Sequence, residues 1–256
     1  MILSDTTLDA TVTGDGPDLV LLHGWGLHGG VWSPVLPRLA THHRVTCIDL
    51  PGHGLSPGRL GDVEQAAATV LAAAPPAAAW IGWSLGGMVA AAAAAQAPER
   101  VTRLLLVASN PSFVRRPDWP AAMAPETLAA FAEGLAADFE ATLTRFLSLQ
   151  FRGVKGAGDT LRGLRAELAA RPPAPESLRD GLAILAGADL RAAVAGYPGR
   201  VAAVLGALDT LVPSGVAGSL AALRPDMTIT TLAGAGHAPF LTHPGHFLEA
   251  VEAWLA

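Results

Sequence analysis

Gly82-Trp83-Ser84-Leu85-Gly86 is a G-x-S-x-G turn set between an apolar β-type run, Ala79-Trp80-Ile81, and a helical stretch, Met88 to Ala97. A serine between strand and helix sits in strained backbone, so the positions two before and two after it must be small. Here both are glycine. Such a turn lifts the Ser84 hydroxyl clear of a sheet. It also aims the Leu85 N–H and a helix N-terminus at whatever reacts there.

The same rhythm continues on either side. Leu19-Val20-Leu21-Leu22, Arg44 to Ile48, Val101 to Val107, Val201 to Leu205 and Met227 to Leu232 are β-type runs without polar alternation. That is the pattern of parallel strands covered on both faces. With helical stretches such as Ser214 to Leu223 between them, they predict a three-layer α/β fold with a mostly parallel sheet. The rhythm breaks over 111–188. There Leu128, Phe131, Leu135, Phe139, Leu143, Phe146 and Leu149 follow at helical spacing, read as one long helix or two helices in line. Thr160 to Ala170 and Glu176 to Leu185 are further helical stretches, parted by Pro172-Pro173-Ala174-Pro175. The expected organisation is a core of 1–110 and 189–256 with a helical lid over 111–188.

A serine hydroxyl needs a base, and the base needs a carboxylate to orient it. His237, in Gly236-His237-Ala238-Pro239-Phe240, follows the last β-type run, and Asp209 follows the one before. Ser84, Asp209 and His237 therefore stand in nucleophile–acid–base order. Asp226 precedes a strand and belongs at the other end of the sheet, Asp189 closes the helical stretch, and His243 and His246 read as a solvated helix start. His23-Gly24-Trp25-Gly26 is the loop after an early strand, so the Trp25 N–H is the expected partner of the Leu85 N–H in an oxyanion hole. His23 reads as an anchor for that loop. The loop Asp49 to Ser56 carries no chemistry, and Cys47 reads as an inert buried thiol.

The 256 residues are 51% hydrophobic and 15% charged, which excludes a disordered chain and a solvated coiled coil. A net charge of −5 excludes a general nucleic-acid binder. A single cysteine fits a reducing compartment, and Met1 to Asp5 lack the start of a signal peptide, so a cytoplasmic protein is expected. Ala77 to Ala95 has Ser84 as its one polar side chain, yet Gly82, Gly86 and Gly87 mark a buried strand–turn–helix rather than a membrane span. His42-His43 lacks the companions of a metal site; neither metal nor cofactor is expected.

Leu21-Leu22-His23-Gly24-Trp25-Gly26-Leu27, Asp49-Leu50-Pro51-Gly52-His53-Gly54, Trp80-Ile81-Gly82-Trp83-Ser84-Leu85-Gly86-Gly87, Asp209 and His237-Ala238-Pro239-Phe240 together resemble the α/β-hydrolase superfamily. With Arg145-Phe146-Leu147-Ser148-Leu149-Gln150, the chain is similar to the pimeloyl-[acyl-carrier protein] methyl ester esterases of biotin synthesis. The resemblance implies a serine carboxylesterase that removes a methyl group from the distal carboxyl of a carrier-bound pimeloyl chain. It implies a pocket lined by Trp25, Leu85, Phe146, Leu147, Ser148, Leu149 and Gln150. A seven-carbon chain needs an apolar slot, which Trp25, Trp83, Phe146 and Leu149 could supply.

Charge adds an independent hint. From Arg145 to Arg171 six basic residues face two acidic ones, in a chain that is acidic as a whole. Arg145, Arg152, Lys155, Arg162 and Arg165 would steer an acidic carrier protein to the pocket mouth. Ala141 and Gly158 are neutral where the family can carry arginine. Two other readings stay open: a serine hydrolase of small esters or lactones on the same fold, and a non-catalytic ligand receptor.

Overall fold

The computed structural model describes residues 7–256; Met1 to Asp5 lie outside the described residues. Seven strands form one sheet: β1 (Ala10–Thr13), β2 (Asp18–Leu22), β3 (Arg44–Ile48), β4 (Ala78–Trp83), β5 (Val101–Val107), β6 (Arg200–Gly206) and β7 (Thr228–Leu232). Their order across the sheet is β1-β3-β2-β4-β5-β6-β7. All neighbours are parallel except β1 and β3. The expected α/β fold with a mostly parallel sheet is therefore present. β1 escaped the hydrophobic pattern because it is an edge strand with all four residues exposed.

The helices are α1 (Leu36–Leu39), α2 (Val63–Ala73), α3 (Leu85–Gln96), α4 (Pro125–Ala137), α5 (Phe139–Gln150), α6 (Gly158–Ala170), α7 (Pro175–Gly187), α8 (Arg191–Gly196), α9 (Val216–Leu223), α10 (Pro239–Thr242) and α11 (Pro244–Leu255). The apolar window around Ser84 is β4, buried throughout, followed by α3, buried from Leu85 to Ala94. Alanine lets α3 lie close to the sheet and to α2. Among the described residues no helix is long and apolar enough to cross a membrane.

Helices α4 to α7 lie between β5 and β6. The helices α4 and α5 are not in line, contrary to the periodicity. The chain breaks at Asp138, which is extended (φ −153°, ψ 98°), and its carboxylate accepts from the Ala141 N–H at 3.0 Å to cap α5. The two helices fold back so that the Phe131 and Phe146 rings meet edge-on at 5.5 Å. One apolar face serves both, because each helix turns it inward. Helix α7 is riveted to the loop before α2. Arg59 donates to both Asp180 oxygens at 2.6 Å, and the Leu60 N–H donates to Ser177 Oγ at 3.2 Å.

Beneath the sheet's carboxyl edge two histidines act as buried struts. His23 Nδ1 donates to the Gly24 carbonyl at 2.8 Å, and its Nε2 accepts the Leu50 N–H at 2.9 Å. This neutral tautomer anchors the loop after β2, as expected. Burial, above all, pushes both His23 and the neighbouring His53 down to about 3. An unfolded histidine titrates near 6.5, so the unfolded chain takes up protons first as pH falls. The stability these residues provide is complete above about pH 6.5 and is lost on the way down towards pH 3. Urea unfolding should show stability falling through this window by about 1 kcal/mol per pH unit for each histidine. A His23→Asn variant should show a shallower slope; an unchanged slope would overturn the assignment. Cys47, also buried, has its thiol pushed up to about 12 by burial and by Asp49, which leaves it inert.

Candidate active site

The strand order reverses between β2 and β4, which lie side by side. Ligand crevices in open α/β sheets form at the carboxyl ends of strands at such a switch point. Two loops meet there: the one after β2, carrying Trp25, and the turn after β4, carrying Ser84. Ser84 adopts φ 55°, ψ −119°, in the left-handed region that side chains avoid. A Cβ on Gly82 would collide with the Gly86 carbonyl, and one on Gly86 with the His23 carbonyl. The two glycines thus let β4, the turn and the loop after β2 close on one another. A Cβ on Gly24 would lie 3.3 Å from the Ser84 Cβ, so the Trp25 loop starts against the nucleophilic turn.

Ser84, Asp209 and His237 are brought together although 153 residues separate the first from the last. His237 Nε2 lies 2.9 Å from Ser84 Oγ, and Nδ1 lies 2.8 Å from Asp209 Oδ2. The other Asp209 oxygen accepts the N–H groups of Leu211 and Val212 at 2.8 and 2.9 Å. Those bonds fix the carboxylate so that its other oxygen faces His237. The His237 backbone is fixed as well: its N–H donates to the Gln150 carbonyl at 3.0 Å, and its carbonyl accepts Trp83 Nε1–H at 2.7 Å. With Nδ1–H on Asp209, Nε2 is free to take a proton from Ser84.

The N–H groups of Trp25 and Leu85 have no hydrogen-bond partner among the described residues. Leu85 opens α3, whose first turn leaves such donors open. The Trp25 side chain is clamped. Its Nε1–H donates to the Leu178 carbonyl at 2.9 Å, and its ring meets Phe146 edge-on at 4.7 Å. Gly181 makes room, since a Cβ there would sit 2.5 Å from Trp25 and 3.1 Å from Leu85. Gly181 went unnoticed in the sequence, though a glycine inside a helical pattern signals close approach.

The run Phe146 to Gln150 does not act as a unit. Phe146, Leu147 and Gln150 are buried, and Gln150 has both amide atoms unpartnered. Ser148 faces α6, where its Oγ accepts from Arg165 at 3.0 Å, and half-buried Leu149 borders a surface groove with Glu126, Thr127 and Ala130 of α4. Ser148 and Leu149 are thus half-buried beside the buried Phe146, Leu147 and Gln150. Five consecutive helical residues sweep more than a full turn and cannot share one face.

The basic residues are exposed, but several are engaged. Arg145 lies over the Phe131 ring, Arg162 pairs with Asp159, and Arg165 reaches Ser148. Arg152 and Lys155 are exposed without an ion-pair partner among the described residues. Asp226 pairs with Arg224 at the far end of β7, and Asp189 with Arg191. No group of three or more His, Cys, Asp or Glu side chains fit for a metal occurs among the described residues. Ser84, His237 and Trp25 are each only 1% exposed, so the site is enclosed.

Fold and geometry together define an α/β hydrolase built around a serine–histidine–aspartate constellation. The profile of the alpha/beta hydrolase family matches residues 19–251. The pimeloyl-[acyl-carrier protein] methyl ester esterase of Methylococcus capsulatus is 45% identical over 95% of this chain and 96% of its own. That of Serratia marcescens is 46% identical over 98% and 99%. In structure, an esterase from Exiguobacterium antarcticum superposes with a TM-score of 0.88 over 96% of this chain and 94% of its own, at 19% identity. The chain belongs to the alpha/beta hydrolase family and, within it, to the group of the pimeloyl-[acyl-carrier protein] methyl ester esterases.

Proposed function

We propose that this protein is a carboxylic ester hydrolase that removes the methyl group from pimeloyl-[acyl-carrier protein] methyl ester in biotin synthesis. The observation that carries the chemistry is the line Ser84 Oγ, His237 Nε2, Nδ1, Asp209 Oδ2, with contacts of 2.9 and 2.8 Å. The substrate rests on relatives of that name, 45% identical across almost the whole chain.

Ser84 Oγ attacks the ester carbonyl carbon while its proton passes to His237 Nε2. The oxyanion is held by the Leu85 and Trp25 N–H groups, and Asp209 stabilises the imidazolium. The carbon–methoxy bond breaks and methanol leaves with the proton from His237. Water then attacks the acyl-enzyme, giving its proton to the same nitrogen, and collapse releases the carboxylic acid and Ser84. Residues 111–188 act as the lid. Trp25, Leu85, Phe146, Leu147 and Gln150 enclose the acyl chain beneath it.

The acidic carrier docks on the basic outer face of the lid. Of the five candidates, Arg152 and Lys155 have the charge most available. Mass spectrometry of the carrier-bound methyl ester after brief incubation tests the whole reading: loss of the methyl group is expected. Retention of it, with a soluble short ester still cleaved, would favour the small-ester alternative. A double charge reversal, Arg152→Glu with Lys155→Glu, should raise KM for the carrier-bound ester about tenfold at low salt and leave a soluble ester unaffected. Equal effects on both substrates would remove these residues from docking.

A further inference from the structure

Directly after β5 the chain makes a second departure from ordinary backbone. Ala108 adopts φ 42°, one of two non-glycine residues with positive φ among the described residues, the other being Ser84. Its N–H is held by the Val204 carbonyl at 2.8 Å. The turn swings Ser109 back across the sheet edge, where its fully buried hydroxyl donates to the Ser84 carbonyl at 2.7 Å.

We infer that Ser109 is a positioning residue that aligns the oxyanion donor of Leu85 through the peptide bond joining Ser84 to Leu85. That peptide is planar and trans, so its C=O and N–H point in opposite directions. Holding the Ser84 oxygen therefore holds the Leu85 N–H. The hydrogen bond also polarises the peptide, which strengthens the N–H as a donor. The Ser84 carbonyl accepts from the Gly87 N–H at 3.0 Å as well, and the Ser84 N–H donates to the Val107 carbonyl at 2.9 Å. The end of β5 thus grips the strained nucleophile on both of its peptides. A positive-φ serine persists only where its surroundings over-determine it, and the Ser109 hydroxyl supplies the one side-chain part of that grip.

This inference rests on Ser84 as nucleophile and Leu85 as oxyanion donor. Removing an oxyanion donor outright typically lowers kcat by about 10²–10³. Loosening one should cost less, so Ser109→Ala should lower kcat about tenfold with KM almost unchanged. Affinity for an alkyl boronic acid, which mimics the tetrahedral intermediate, should weaken by the same factor. Affinity for the carrier-bound carboxylate product should not move. Ser112→Ala is the control. Ser112 is equally buried, donates to the Val114 carbonyl at 3.2 Å and makes no hydrogen bond to Ser84. It should lose similar thermal stability while keeping wild-type kcat and boronate affinity. If Ser109→Ala keeps wild-type kcat, or if both variants lose kcat in step with stability, the positioning role is overturned and the esterase reading stands. If wild type neither cleaves the ester nor binds the boronate, both readings fall.

Discussion

Replacing Ser84 with alanine abolishes turnover of the methyl ester while leaving the fold intact. The Ser84 hydroxyl makes one side-chain hydrogen bond, to His237, and supports no packing that alanine would lose. Alanine meets the same backbone penalty at φ 55° as serine, so thermal stability should stay close to wild type. Without the nucleophile only substrate binding and the oxyanion donors remain, and kcat should fall by about 10⁵–10⁶. The check is single-substrate kinetics beside a melting curve. A folded Ser84→Ala protein retaining more than about a hundredth of wild-type turnover would sink the covalent mechanism.

Asp209→Asn should be nearly as damaging, for a subtler reason. The side chain has two tasks: one oxygen accepts the Leu211 and Val212 N–H groups, the other accepts from His237 Nδ1. An asparagine carbonyl can satisfy the first task only by turning its amide NH₂ towards His237. The amide then donates to Nδ1, which forces the imidazole proton onto Nε2. That nitrogen faces Ser84 and can no longer take its proton. The expected loss is about 10⁴ in kcat with KM little changed. Asparagine is a sharper test than alanine, which would also strip Leu211 and Val212 of their acceptor and loosen the loop. An Asp209→Asn enzyme within about tenfold of wild type would mean that the carboxylate does not set the tautomer.

Much of this site is legible in the chain. The turn around Ser84 is local: five residues carry both the strain and the glycines that permit it. Asp209 and His237 are nominated by standing just past strands, because a parallel sheet gathers all strand ends on one edge. The hydrophobic runs mark six of the seven strands for the same kind of reason. Burial on both faces writes itself as near-continuous apolar sequence in the inner strands; the edge strand β7 (TITTL) is only partly buried, and exposed β1 leaves no such mark.

What the chain does not carry is the outcome of contacts between distant segments. Periodicity shows that Phe131 and Phe146 share an apolar face, but whether that face runs straight or folds on itself at Asp138 depends on what it packs against. A resemblance can name Phe146 to Gln150 as a block, while helical geometry admits only part of it to the interior. The clamp on Trp25 by Leu178, the Arg59–Asp180 rivet and the Ser109 bond to Ser84 join residues 25 to 153 positions apart. No local pattern encodes such pairs, because each partner is an ordinary residue in its own neighbourhood. Sequence therefore determined the layers, the turn and the order of the reacting groups. The clamp on Trp25 and the grip on the nucleophile arise only in the folded chain, where packing chooses among faces that local propensity leaves equivalent.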